Sequence, residues 1–201
     1  MDPVEVVGFV TGAVCVWLAA RENVWNFPVG IANNLAFLVL FANAGLYAGA
    51  GLQVVYAGLA ALGWYWWARR DAGTGQGRLV VGRVPRVAWP LLGLGAAAAT
   101  AVLWAVLVRT DSPAPVLDAS TTATSLVAQL MLGRKWLGSW AVWVVTDVLL
   151  VVLYASQQLW LTAVLYAVFI LLCLDGARRW RAALAGRTAG EPADAPQAVA
   201  A

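Results

Sequence analysis

The chain has 201 residues, of which 62% are apolar and 11% charged, with a mean hydropathy of +0.77. Soluble domains carry about 25% charged residues, and here too few polar side chains remain to coat a water-facing surface. The composition points to an all-α membrane protein. It contains no histidine, which excludes a Ser-His-Asp triad, other His-based catalysis and most zinc sites.

At roughly 20 residues per membrane-spanning helix the length admits about seven crossings. Seven apolar stretches occur at 4–20, 28–46, 50–67, 88–108, 117–132, 138–156 and 158–176. Asp2 and Glu5, with no basic cluster, argue against a cleavable signal at the N-terminus. These stretches divide the chain into a three-helix bundle at 1–67, a loop at 68–87, a linker helix at 88–108 and a second bundle at 109–182. The Arg/Gly-rich loop reads as flexible. Its Gly73-Thr74-Gly75-Gln76-Gly77 run lacks the Lys-Ser/Thr and the strand of a phosphate loop. The 183–201 tail, rich in Ala, Gly and Pro, reads as disordered. Cys15 and Cys173 lie in apolar runs and read as small buried hydrophobes.

With seven crossings, all of the 13 Lys and Arg residues except Arg109 fall on the side of the C-terminus. The positive-inside rule then puts the N-terminus outside and the C-terminus in the cytoplasm. The net charge of +3 is this topology signal rather than a nucleic-acid footprint.

Shifting the chain by 113 residues aligns 11–67 with 124–180 without a gap. Thr11 meets Thr124, Arg21 meets Arg134, Gly63 meets Gly176 and Trp67 meets Trp180; Tyr56 meets Phe169 as a near-match. An offset containing four crossings keeps both copies in one orientation. The expected plan is seven transmembrane helices in a 3+1+3 arrangement of two parallel repeats with a linker helix, a transporter architecture whose substrate site lies between the repeats.

Asp147 sits at the centre of the sixth stretch. A carboxylate there costs about 2.5–3.5 kcal/mol on insertion scales, so it should face the bundle interior or a wet cavity. Trp140 and Trp143 precede it by seven and four residues, on the same helical face. Two indoles and a carboxylate in one stripe suit a small, flat, polar or cationic solute. Asn33 and Asn34 align with Thr146 and Asp147, and Gln53 and Gln129 are further intramembrane amides. Each alone is ordinary inter-helix glue; together with Asp147 they read as a polar lumen. Trp25, Asn26, Pro28 and Gly30 form a helix start, which Asn26 can cap.

The stretch Trp25-Asn26-Phe27-Pro28-Val29-Gly30-Ile31-Ala32-Asn33 resembles a signature of the PnuC family of bacterial nicotinamide riboside transporters. Gly45-Leu46-Tyr47, Gly51 to Tyr56, Gly63-Trp64-Tyr65, Ser125 to Gln129 and the Trp140/Trp143/Asp147 spacing continue the similarity over about 8–180. The resemblance implies a fold related to the SWEET sugar transporters, a homotrimer, and facilitated diffusion followed by phosphorylation of the vitamin in the cytoplasm. It also implies that Trp140, Trp143, Asp147, Asn33, Gln53 and Gln129 touch the substrate, with Trp25, Asn26, Thr146 and Asn34 as further candidates. Asp147 departs from the amide that the family places at this position, which raises proton coupling.

The expected function is transport of nicotinamide riboside or a similar vitamin by alternating access, with no cofactor, no metal, and the bilayer and the vitamin as partners. The alternatives are a proton-coupled carrier of thiamine or riboflavin, an intramembrane enzyme, and a receptor without transport. The absence of histidine, of a metal cluster and of an acidic pair at one depth argues against the enzyme.

Overall fold

The computed structural model describes residues 3–43, 47–68, 80–109 and 114–190. The Gly73–Gly77 run and the end of the chain from 191 onward lie outside these residues. Among the described residues seven helices follow in order: α1 (Pro3–Ala20), α2 (Asn26–Asn43), α3 (Tyr47–Ala68), α4 (Ala88–Leu107), α5 (Pro115–Gly133), α6 (Ser139–Ser156) and α7 (Trp160–Gly190). By length and hydropathy α2, α4, α6 and α7 suffice to cross a membrane. α5 is less apolar, and its Thr121 and Thr124 hydroxyls donate to the carbonyls of Leu117 and Ser120, both at 2.8 Å. Such back-bonding satisfies hydroxyls within their own helix.

Six helices pack in a closed ring, α1 against α2, α2 against α3, α3 against α5, α5 against α6, α6 against α7, and α7 back against α1. α4 stands outside the ring, packed on α5, with no buried residue. Its Leu91, Leu94 and Val102 are exposed, as are Val10, Val39 and Val54 on the ring exterior. Apolar side chains facing outward are what a lipid solvent selects.

Contacts recur at the 113-residue offset. α1 and α5 both end in a left-handed residue, Glu22 and Lys135, each with φ of 54°. Glu22 N–H donates to Ala19 O at 3.0 Å and Asn23 N–H to Leu18 O at 2.9 Å; Lys135 donates to Leu132 and Trp136 to Met131 in the same pattern. These are Schellman closures built without the usual glycine. Lys135 Nζ then lies 2.7 Å from Glu22 Oε2, so the two caps are joined by an ion pair. Phe27 meets Trp67 edge-on at 5.0 Å, and Trp140 meets Trp180 edge-on at 5.2 Å. A Cβ on Gly63 would lie 2.6 Å from the Phe27 ring, and one on Gly176 would lie 2.6 Å from the Trp140 ring. Tyr56 bonds Ser125 across the ring, while Phe169 lies against Gly12.

Two expectations need correction. The end of the 68–87 loop is anchored: Gly82 N–H donates to Lys135 O at 3.0 Å, Leu137 N–H donates to Gly82 O at 2.9 Å, and Val81 is buried. α7 also runs on to Gly190, past the expected end near 182. Its apolar run stops near Gly176, but Ala, Leu and Arg are strong helix formers. The i,i+4 pair of Arg179 with Asp175, at 2.7 Å, supports this stretch, and burial of Trp180 on the ring holds it in place.

Candidate functional site

The ring surrounds a partly open cavity of about 350 Å³. α6 contributes Trp140, Trp143 and Asp147, so the stripe read from the i, i+3, i+7 spacing faces the cavity. α2 contributes Asn26, Phe27, Gly30, Asn33 and Asn34, and α5 contributes Gln129 and Leu132. Asp147 is 4% exposed yet lines the void. The Cys173 thiol lies 3.6 Å from Asp147 Oδ2 and donates to it weakly. Asn33 Oδ1 accepts from the Thr11 hydroxyl at 2.9 Å, which fixes the amide and leaves its NH₂ for other acceptors. Among the described residues no Lys or Arg lines the cavity, and Asp147 is its one acidic residue.

An aromatic floor closes one end. Phe27, Trp67, Trp180 and Trp140 form a chain of ring contacts, with Trp67 and Trp180 tilted at 6.1 Å. The Trp67 indole donates to Gly133 O and the Trp180 indole to Ala19 O, both at 3.1 Å, tying each to the opposite half of the chain. Lys135 Nζ sits 4.5 Å above the Trp67 ring while it pairs with Glu22. The Trp140 indole N–H is buried with no protein acceptor. Such an orphan donor costs about 1–3 kcal/mol until an acceptor reaches it.

Of the residues singled out from the sequence, Asn26, Asn33, Asn34, Gln129, Trp140, Trp143 and Asp147 converge on the cavity. Three do not. Trp25 is 64% exposed in the α1–α2 connection. Gln53 is half-buried away from the void. Thr146 is fully buried and donates to Val142 O at 2.9 Å, a packing role one position off the stripe. The helix-start bond belongs to Asn23 rather than Asn26: Asn23 Oδ1 accepts from Trp25 N–H at 3.0 Å, and Asn26 donates back to Asn23 O at 2.7 Å. Sequence reasoning missed Cys15, Tyr56, Tyr166, Phe169 and Cys173 as cavity lining. The repeat carried the signal for two of them, since Tyr56 aligns with Phe169.

Residues 2–182 match the family model described as nicotinamide mononucleotide transporter. The chain belongs to this transporter family. It is 25% identical over 202 residues to the nicotinamide riboside transporter PnuC of Escherichia coli K12, covering 88% of this chain and 84% of that one. It is 26% identical over 181 residues to the riboflavin/roseoflavin transporter RibM of Streptomyces davaonensis, covering 88% and 83%. Its fold matches a crystal structure of the vitamin B3 transporter PnuC with a TM-score of 0.69 at 21% identity, over 91% of this chain and 82% of the other. The chain is thus a multi-pass membrane transporter of the PnuC type, and its relatives are transporters rather than enzymes.

Proposed function

We propose that the protein carries nicotinamide riboside across a bacterial inner membrane by alternating access, binding it in the central cavity. The observation that carries this reading is the lining itself: two indoles, fixed amides and one carboxylate, with no cation. The pyridinium ring is flat and positively charged, so it suits Trp140 and Trp143 faces and the Asp147 charge. Asn33, Asn34 and Gln129 offer partners for the ribose hydroxyls, and the orphan Trp140 N–H offers a donor. A mononucleotide would bring a phosphate dianion beside Asp147 with no Lys or Arg to meet it, which disfavours the phosphorylated form. The volume of about 350 Å³ is at the low end of the roughly 300–1,000 Å³ of small-molecule sites. It favours a single-ring nucleoside over a tricyclic flavin.

Seven crossings, two parallel three-helix repeats and α4 as the linker complete the reading, supported by contacts that recur at the 113-residue offset. The N-terminus lies outside and the Arg-rich ends in the cytoplasm. The aromatic floor with the Glu22–Lys135 pair then forms the closed cytoplasmic side, and rocking of one repeat against the other opens it. A homotrimer and uncoupled diffusion follow from the family resemblance.

Uptake of labelled nicotinamide riboside into proteoliposomes tests this. Competition by unlabelled riboside, with little by mononucleotide, thiamine or riboflavin, is expected. Equal or better competition by riboflavin would favour the RibM-like cargo. Indifference to an imposed pH gradient is expected, and gradient-driven uptake abolished in Asp147→Asn would establish proton coupling instead.

A further inference from the structure

A second cleft, of about 740 Å³, opens between the start of α4, the 80–87 segment, the N-terminal half of α6 and the C-terminal half of α7. It exists because α4 packs on α5 and on no other helix among the described residues. Arg83, Arg178 and Arg181 line it, and among the described residues no acidic side chain does. All three are exposed, and none has an ion-pair partner among the described residues. Arg178 and Arg181 are three apart on one face of α7, whereas Arg179 between them turns away and pairs with Asp175. Arg83 is held from the other side, its neighbour Gly82 bonded in both directions to the α5–α6 connection. The rest of the wall is apolar: Trp89 and Leu174 are exposed, at 47% and 41%, with Val144 between helices.

We infer that this cleft is a binding site for an anionic phospholipid, with the phosphate on the three arginines and an acyl chain along Trp89, Val144 and Leu174. Guanidinium groups match phosphate oxygens in pairs, and basic clefts between membrane helices at the interface recruit acidic headgroups. The lateral opening beside α4 lets a lipid enter from the bilayer. Three cations in a wall to which, among the described residues, no acidic side chain contributes repel the ammonium of a zwitterionic headgroup. This disfavours phosphatidylcholine. The cleft and the transport cavity share the Trp140 side chain as a wall, but the three arginines line only the cleft, and the test is independent of the cargo.

Native mass spectrometry of the purified, delipidated full chain, titrated with phosphatidylglycerol or phosphatidylcholine, reads the site. Phosphatidylglycerol retained about tenfold more strongly than phosphatidylcholine is expected, with the preference lost in R83A/R178A/R181A and kept in R179A and R109A. The milder R178Q/R181Q variant should lose most of it too, so poor behaviour of the triple variant leaves the test intact. Equal retention of the two lipids, or an unchanged preference in the arginine variants, would overturn the inference. Displacement of the lipid by millimolar inorganic phosphate would reassign the cleft to free phosphate and overturn it as well.

Discussion

Gly176→Ala probes the contact on which the cavity floor rests. The new Cβ would lie 2.6 Å from the Trp140 ring, against an ordinary carbon–carbon contact of about 3.5–4.0 Å. The ring must therefore move by about 1 Å. Trp140 is 2% exposed, and on its other side stands Trp180 at 5.2 Å, edge-on. Overpacking of this kind costs about 1–3 kcal/mol. Trp140 also walls the cavity, so the displaced ring weakens substrate binding by a comparable amount, roughly 5- to 150-fold. The control is Gly58→Ala on α3, where a Cβ meets nothing within 4 Å; it should be neutral or slightly stabilising through helix propensity. Apparent melting temperature in detergent and calorimetric titration with nicotinamide riboside read both effects. If Gly176→Ala matches Gly58→Ala in both assays, the floor does not depend on this contact and the reasoning fails.

Gly63→Ala presses on Phe27 at the same 2.6 Å, and on Gly133 Cα at 3.2 Å; its melting temperature should fall at least as far as that of Gly176→Ala. Asp147→Asn should weaken binding of nicotinamide riboside about tenfold or more while changing little for an uncharged analogue, as paired titrations would show. Lys135→Met removes the partner of Glu22, whose carboxylate side chain is 33% exposed, at a site where the lysine itself is only 7% exposed. A loss of about 1–3 kcal/mol in stability is expected, and a double-mutant cycle with Glu22→Gln should recover part of it. Trp25→Ala and Gln53→Ala, outside the cavity, should bind as the parent does in the same titration.

Much of this was legible before any coordinates. Long apolar runs mark α1 to α6 to within a few residues, because lipid demands both the composition and the length. The end of α7 was not legible, since beyond Gly176 the helix persists through Ala and Arg propensity and the burial of Trp180, which no hydropathy run reports. The helical spacing brought Trp140, Trp143 and Asp147 to one face, and that face lines the cavity. Thr146 is singled out by its repeat alignment with Asn33, not by spacing, and it lies one residue off the stripe; Trp25 is singled out by the helix-start pattern, and an exposed loop position cannot be told from a helix-end anchor by sequence. Cys173 beside Asp147 was read as a plain apolar residue; its role as a neighbour depends on how α7 lies against α6. The Glu22–Lys135 pair joins two caps that are far apart along the chain, and only the closed ring brings them together.

On the proposed function a flat cationic nucleoside stacks on the indoles beside Asp147. Quenching of tryptophan fluorescence by nicotinamide riboside, titrated into purified wild type and Trp143→Ala, tests it most directly. Saturable quenching in the wild type, with affinity reduced about tenfold or more in the variant, is predicted. Saturable quenching of undiminished affinity in Trp143→Ala would contradict it.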